Sequence, residues 1–147
     1  GGIIDRVDKV GDFYRIVDYK TGEKKLIFTE EEADPKYLFK SDRKAILQTF
    51  IYAYIYQQKN PQIKDNQIRM CLYSLPNIIN GNGVNIITEE KDPAITFEKS
   101  KSFFEENFRK LLLQFFSKDN HFESSKDENS CKYCNFLTFC NRKKKDF

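Results

Sequence analysis

The first part of the chain alternates between apolar and polar positions. Residues 2–10 and 13–20 follow this alternation and are rich in Ile, Val and Tyr, with Gly11 and Asp12 between them. Alternation with a period of two is typical of strands, and a two-residue linker that contains Gly is typical of a tight turn. The pattern therefore predicts an antiparallel β-hairpin.

The remainder of the chain contains shorter strand patterns and two segments with helical periodicity. The predicted elements are a short strand near 25–28, a helix from Ser41 to about Lys59, a strand over 67–75, a strand over 84–88, a helix over roughly 97–117 and a polar loop over 118–130. This order of elements predicts an α/β protein. Its mixed central sheet begins with the antiparallel hairpin and is flanked by helices.

Composition excludes several classes of protein. The chain has 147 residues, which suits a single domain over 1–147. With 39% hydrophobic and 32% charged residues, it fits neither a disordered tail nor a membrane protein. No apolar run approaches the roughly 20 residues that span a bilayer. The net charge of +3 is too small to indicate nucleic-acid binding by itself.

The predicted hairpin brings three charged side chains together. With Gly11 and Asp12 as the turn, Asp5 lies opposite Asp18, and facing side chains of antiparallel strands have Cβ atoms about 4.5–5.5 Å apart. Lys20 points to the same face because it follows Asp18 by two residues. Like charges that face each other directly destabilise a sheet, so the two carboxylates require a physical explanation.

A divalent cation supplies that explanation. Two carboxylates and the backbone carbonyl of Tyr19, whose side chain points to the opposite face, suit a hard ion such as Mg²⁺. Such an ion polarises a phosphoryl oxygen and lowers the pKa of a bound water, and Lys20 would stabilise the charge that develops beside it. The alternative is a surface ion-pair cluster in which Asp5 and Asp18 flank Lys20.

Two sequence motifs in the hairpin resemble those of a known family. Residues 2–8 (GIIDRVD) and 16–22 (IVDYKTG) closely resemble the PD-(D/E)XK nucleases of the RecB and AddB type. In that family, G-x-I-D-R-x-D is followed by a hairpin and then by D-Y-K-[S/T]. The next family motif, Q-x-x-x-Y on a helix, is present as Gln48 and Tyr52. Their i,i+4 spacing puts both side chains on one helix face.

The resemblance implies a restriction-endonuclease-like core and a metal-dependent DNA nuclease. The implied catalytic residues are Asp5, Asp18, Lys20, Gln48 and Tyr52. The two aspartates, with the carbonyl of Tyr19, would hold Mg²⁺ or Mn²⁺, and the lysine would assist the attacking water. The glutamine and the tyrosine would orient the site or the scissile phosphate. The implied partners are DNA and, in a helicase-nuclease or exonuclease of DNA repair, helicase domains or a partner subunit.

The cysteines extend the resemblance. Three of the four, Cys131, Cys134 and Cys140, lie together near one end, which argues against a disulfide framework and for a reducing, cytoplasmic setting. Their spacing resembles the C-terminal trio of the iron–sulfur form of this family, which holds a [4Fe–4S] cluster together with one upstream cysteine. Cys71 lies in an apolar strand pattern, so we interpret it as a buried core thiol.

The start of the chain bears on both implied metal sites. The chain opens with Gly1 and Gly2 and enters the predicted strand at once, so we expect an N-terminally truncated piece of a longer protein. The family's upstream cysteine, and a His or Glu on a helix before the first motif, would then lie outside it. We therefore expect the cluster to be absent or incomplete here, and the isolated fragment to be weakly active or inactive.

Two other functions compete with catalysis. One is a non-catalytic DNA-binding or scaffolding module with the same fold, but the retained acids and lysine favour catalysis in the parent protein. The other is a zinc-ribbon-like interaction domain built on the cysteine trio. That domain would need a fourth Cys or His at a suitable spacing, which the sequence does not offer.

Overall fold

The structure is a computed structural model that describes residues 3–22, 27–28, 43–81, 84–88, 93–119, 131 and 134–141. Its strands and α-helices are β1 (Arg6–Val10), β2 (Phe13–Lys20), β3 (Ile27–Phe28), α1 (Lys44–Lys59), β4 (Ile68–Ser74), α2 (Leu75–Ile79), β5 (Ile87–Thr88) and α3 (Pro93–Phe115). A short 3₁₀ turn, Asp65–Gln67, leads into β4. By its internal contacts the chain divides into two units, Gly1–Leu111 and Leu112–Phe147.

The central sheet is mixed, with strand order β1-β2-β4. The first pair is antiparallel and the second pair is parallel, so β2 is the central strand. Two further short strands, β3 and β5, pair in parallel. The prediction of an α/β fold with a mixed sheet and flanking helices is confirmed.

The hairpin has the predicted register. Its ladder runs from Arg6 opposite Val17 to Val10 opposite Phe13. Gly11 has φ of 59°, a left-handed conformation that glycine adopts without the steric cost of a Cβ. A positive φ at the first turn residue alone is typical of the type II′ turn, whose twist matches that of a hairpin. The two-residue turn therefore sets which side chains share a face.

The start of the hairpin differs from the prediction. Strand β1 begins at Arg6 rather than at residue 2, and Asp5 lies in a bend just before it. The Asp5 carboxylate accepts a hydrogen bond from the backbone N–H of Tyr19 at 3.0 Å. Because a side chain takes this amide proton, the backbone ladder does not extend to Asp5. The predicted pair of Asp5 and Asp18 thus falls at the end of the ladder and not within it.

One hydrophobic core holds α1 and α3 on the sheet. Ile16 of β2 and Met70 of β4 are fully buried in it, together with Phe50 of α1. The Phe50 ring stacks on Phe104 of α3, with the centroids 5.5 Å apart. Burying an aromatic side chain of this size contributes about 1.5–3 kcal/mol. Because Asp18 follows Ile16 by two residues, the acidic end of β2 lies on the same face as this core.

The first long helix ends where the sequence indicates. α1 stops at Lys59, and the side-chain amide of Asn60 donates to the carbonyl of Tyr56 at 2.8 Å. The predicted N-cap, Ser41, lies outside the described residues. The second long helix begins at Pro93, earlier than the predicted 97, because proline is well suited to the first helical turn.

The strand predicted over 84–88 divides between two partners. The Leu72 amide donates to the Val84 carbonyl and the Ile86 amide donates to the Met70 carbonyl, each at 2.8 Å, so this part lies along β4. The last two residues form β5 beside β3. The sequence did not predict α2, whose N-cap is Ser74 and which carries Pro in its first turn.

The C-terminal unit, Leu112–Phe147, is described only in part. It contains the end of α3 and the turns of residues 134–141, while 120–130 of the predicted polar loop lie outside the described residues. Among the helices that the structure describes, none has both the length and the apolar character needed to cross a membrane.

Candidate active site

Asp18 lies near the end of the central strand β2 and is only 1% exposed. Its Oδ2 lies 2.5 Å from Nζ of Lys20, which is an ion-pair distance. This ammonium is the partner of the buried oxygen, which has no other hydrogen-bond donor within the described residues. Burying a charged carboxylate is costly unless a cation is paired with it, so this position suits a carboxylate that binds a cation.

Lys20 extends from the same face, two residues further along β2. Besides its ion pair with Asp18, its Nζ donates to Oε1 of Gln48 at 3.1 Å. The side chain is 24% exposed, so the ammonium is partly shielded and partly open to solvent. Lys20 therefore connects the end of the sheet to helix α1.

Gln48 and Tyr52 share one face of α1, four residues apart. The Gln48 amide nitrogen donates to the Tyr52 hydroxyl at 2.8 Å. Contacts thus run without interruption from Asp18 through Lys20 and Gln48 to Tyr52. Burial of Phe50 and Thr49 on the same helix fixes its orientation against the sheet. The structure brings together four of the five residues that the motifs imply.

The fifth residue, Asp5, is exposed and reaches the site through the backbone. Its carboxylate accepts from the Tyr19 amide, which follows Asp18 directly in the chain. The Tyr19 ring lies on the opposite face of the sheet and makes an edge-to-face contact with Tyr73, with centroids 5.6 Å apart. Only the backbone of Tyr19 therefore belongs to the site.

The oxygen atoms that are available as metal ligands at this site suit a hard divalent cation. They belong to the buried carboxylate of Asp18, the solvent-accessible carboxylate of Asp5 and the adjacent carbonyl of Tyr19. In the part of the chain that the structure describes, no group of three or more His, Cys, Asp or Glu side chains is placed to hold a metal ion. A cation bound here would take its remaining ligands from water, as Mg²⁺ commonly does.

A second ionic group lies on the opposite face of the hairpin. Asp8 accepts two hydrogen bonds from Arg15, at 2.6 and 2.8 Å, and pairs with Arg6 at 2.9 Å. The hydrogen bond from Arg15 is the main cause that lowers the pKa of the Asp8 carboxyl below its ordinary value. Both oxygens of this carboxylate therefore have guanidinium partners.

One residue at the edge of the site was missed by the sequence analysis. Ser74 ends β4, lies beside Lys20 in the parallel register and is completely buried. Its hydroxyl donates to the carbonyl of Gly22 at 2.9 Å, which ties the segment after Lys20 to β4. No motif marks this serine. Only the pairing of β2 with β4, which a single sequence does not reveal, places it there.

The cysteines fall into two environments. Cys71 is buried in β4, where its thiol donates to Oδ1 of Asn85 at 3.2 Å and burial raises its pKa to about 11. A protonated, buried thiol agrees with the interpretation of Cys71 as a core residue.

The other three cysteines, Cys131, Cys134 and Cys140, belong to the C-terminal unit. The Cys134 amide donates to the Cys131 carbonyl at 3.1 Å, so these two lie in one turn. The Phe136 amide lies 3.4 Å from Sγ of Cys134, and the Cys140 amide donates to the Phe136 carbonyl at 3.1 Å. The C-terminal turns thus connect all three cysteine positions through two backbone hydrogen bonds and one contact from a backbone amide to the Cys134 sulfur.

Comparison with known proteins agrees with the geometry of the site. A family model of the PD-(D/E)XK nuclease superfamily matches residues 1–141, which is nearly the whole chain. No curated protein and no solved structure matched the sequence. Members of this superfamily are metal-dependent nucleases that act on DNA and generally use divalent metal ions. The matched range includes Asp5, Asp18 and Lys20, as well as the Gln48–Tyr52 pair. The chain belongs to the PD-(D/E)XK nuclease superfamily.

Proposed function

We propose that this chain is the nuclease domain of a larger helicase-nuclease or exonuclease of the RecB or AddB type, which hydrolyses DNA phosphodiester bonds in repair or recombination. The observation that carries the proposal is the continuous set of contacts from Asp18 through Lys20 and Gln48 to Tyr52. A surface ion-pair cluster would explain the pairing of Asp18 with Lys20. It would not explain why a half-buried glutamine of α1 fixes the lysine.

Asp18 and Asp5 are the proposed metal ligands, together with the carbonyl of Tyr19. When Mg²⁺ or Mn²⁺ is bound there, it supplies polarisation of a phosphoryl oxygen and acidification of a water molecule. Within the described residues, the cationic partner of the buried Asp18 carboxylate is Lys20. A metal ion bound to Asp18 would therefore lie beside the lysine.

Lys20 is the proposed electrostatic catalyst. Its ammonium has three N–H donors, and the two contacts with Asp18 and Gln48 use at most two of them. The remaining N–H is available to the attacking hydroxide or to the phosphate oxygen on which charge develops. Because Gln48 restrains the side chain, little reorganisation is needed when the reaction occurs.

Tyr52 is the proposed phosphate-binding group at the end of this set of contacts. Its hydroxyl oxygen accepts from Gln48, so the hydroxyl proton points elsewhere. In the described part of the chain that proton has no acceptor, and a phosphate oxygen would provide one. In this proposal Gln48 positions two donors, Lys20 and Tyr52, toward one phosphodiester.

The C-terminal cysteines are proposed as ligands of a [4Fe–4S] cluster in the intact protein. Cys131, Cys134 and Cys140 carry the spacing of the iron–sulfur form of the family, and thiolates are the ligands that such clusters require. The buried thiol of Cys71 is a poor candidate for the fourth ligand, because its pKa is raised. The proposed setting is a cytoplasmic repair complex, with helicase domains or a partner subunit beside the nuclease.

A cleavage assay with a matched pair of variants tests the proposal. The chain is incubated with linear single-stranded and double-stranded DNA in Mg²⁺, in Mn²⁺ and in EDTA. We expect slow cleavage that requires a divalent metal and that is lost in Asp18→Asn. The control is Asp12→Asn, which makes the same chemical change at an exposed turn residue. DNA binding without cleavage in either metal would instead favour a non-catalytic module with this fold.

A further inference from the structure

The face of the sheet that points away from α1 carries a set of basic and aromatic side chains, here called the rear face. Around the buried Val17 and Cys71, it carries Arg6 and Asp8 of β1, Phe13, Arg15 and Tyr19 of β2, and Arg69 and Tyr73 of β4. The register places Arg15 beside Arg69 and Tyr19 beside Tyr73. The proposed cleavage chemistry uses none of these side chains.

The charges on the rear face do not balance. Three arginines accompany one carboxylate, Asp8, which is already shared between Arg15 and Arg6. Arg69 forms no ion pair within the described residues, and its buried Nε has no hydrogen-bond acceptor. Its guanidinium instead lies over the ring of Phe13, at 3.4 Å from the centroid. The rear face therefore has an excess of positive charge and one arginine without an anion.

The aromatic rings of the rear face are partly open to solvent. Tyr19 is 48% exposed and packs edge-to-face on Tyr73. Arg6 reaches the Tyr19 hydroxyl at 3.5 Å, so a positive charge lies at the rim of this ring pair. Exposed rings beside guanidinium groups, one of which has no anion, form a combination that binds single-stranded nucleic acid, because bases stack on the rings and phosphates pair with the arginines.

We propose that the rear face binds a single-stranded segment of the DNA substrate, with a phosphate on Arg69 and a base against Tyr19 and Tyr73. The proposal rests on the proposed function, since that function makes DNA the ligand. Tyr19 lies between Asp18 and Lys20 in the chain, so the bound segment lies directly behind the cleavage site. An acidic peptide would satisfy the charge but would leave the exposed rings without a stacking partner. Single-stranded DNA satisfies both.

Binding of a labelled oligonucleotide tests this proposal separately from cleavage. The probe is a fluorescein-labelled oligothymidylate of about 20 nucleotides, longer than a typical single-strand site. Anisotropy is measured in EDTA, so that the result does not depend on metal or on nuclease activity. If the chain binds the probe but never cleaves DNA, the proposed function fails and this inference stands. If it cleaves DNA but the rear-face variants bind normally, the inference fails alone.

Two variants and a control define the expected result. Tyr73→Leu should weaken binding about fivefold or more, because a stacked base is lost. Arg69→Gln should lower the slope of log affinity against log salt by about 0.7, the loss of one phosphate contact on a single strand. Arg69→Lys should restore that slope. The control, Arg109→Gln, removes a positive charge from an exposed position on α3 and should change neither quantity.

Three results would overturn the proposal. The first is that the rear-face variants bind the oligonucleotide as tightly as the wild type. The second is that Tyr73→Leu weakens binding of a duplex of the same length by the same factor. The third is that an oligoglutamate peptide binds the wild type and that Tyr73→Leu and Arg69→Gln weaken its binding as much as they weaken binding of the oligonucleotide. Circular dichroism checks that each variant is folded. Should a variant fail to fold, photocrosslinking of bromodeoxyuridine-substituted oligothymidylate to the wild-type chain decides the question. Crosslinks at Tyr19 or Tyr73 support the rear face, and crosslinks only elsewhere refute it.

Discussion

The side-chain carbonyl of Gln48 accepts a hydrogen bond from the Lys20 ammonium at 3.1 Å. This bond joins α1 to the central strand at the point where the carboxylate of Asp18 is buried. Lysine has a long, flexible side chain with several rotatable bonds, so its position is determined by what its ammonium contacts. In the proposed mechanism, α1 therefore contributes to catalysis by holding the lysine, in addition to any contact with the substrate.

Variants of Gln48 should separate the effects of its two hydrogen bonds, one with Lys20 and one with Tyr52. In Gln48→Leu both are lost, and we expect the cleavage rate to fall about 10–100-fold, as for other groups that orient a catalytic side chain. Gln48→Glu still accepts from Lys20 but does not donate to Tyr52, so its rate should lie between those of Gln48→Leu and the wild type. The measurement is the initial rate on linear DNA, with Gln58→Leu at an exposed position of the same helix as the control. Equal rates for Gln48→Leu and the control would contradict the positioning role.

Lys20→Ala should abolish cleavage while DNA binding stays close to that of the wild type. In the proposed mechanism the ammonium acts mainly where charge develops in the transition state, so we expect its loss to affect the rate more than the affinity. Cleavage and DNA affinity are measured on the same preparation, with Lys59→Ala at the exposed end of α1 as the control. Undiminished cleavage by Lys20→Ala would show that another group carries out this step.

The Asp8–Arg15 pair should make stability depend on pH in the acidic range. Arg15 lowers the pKa of Asp8 in the folded state, so the unfolded chain binds more protons as the pH falls. The stabilisation is therefore present above the ordinary carboxyl pKa of about 3.9 and is lost as the pH decreases through the lower folded value. Thermal melting from about pH 6 to pH 3 should show a smaller decrease for Asp8→Asn than for the wild type. If the melting temperatures of Asp8→Asn and the wild type decreased equally with pH, other carboxylates would be the cause of the acid sensitivity.

The cysteines should differ sharply in reactivity. At about pH 8 an exposed thiol is partly ionised, whereas Cys71 remains protonated because burial raises its pKa to about 11. Iodoacetamide should therefore modify the exposed Cys140 quickly and leave Cys71 intact until the chain is unfolded. Peptide mapping by mass spectrometry measures both sites in one sample. Rapid modification of Cys71 in the folded chain would show that it is not a core thiol.

Local sequence signals predicted the hairpin and the ends of several elements. The Gly11–Asp12 turn is short enough to fix the strand register, and the helical period and Asn60 fix the end of α1. The bend at Asp5 was not predictable in the same way, because it depends on a bond between its side chain and the Tyr19 amide. α2 was missed because its five residues are too few for a periodic signal.

The composition of the site was more predictable than its contacts. The motifs mark Asp18, Lys20, Gln48 and Tyr52, and the i,i+4 spacing already puts the last two on one face. That Gln48 reaches Lys20 depends on how α1 packs on the sheet, which is a property of the whole core. Ser74 was not predicted for the same reason, because its position beside Lys20 depends on the pairing of β4 with β2.

The turn at Gly11 and Asp12 has a consequence for engineering the protein. It is exposed and lies at the opposite end of the hairpin from Asp18, so surface accessibility alone would recommend it for inserting a tag or a label. Yet this turn sets the register of β1 against β2. An added residue that is taken up by the strand pairing exchanges the faces of every β1 side chain. Whether this chain tolerates an insertion in a loop therefore depends on which strand residues that loop keeps paired. The distance of the loop from Asp18 and Lys20 does not decide it.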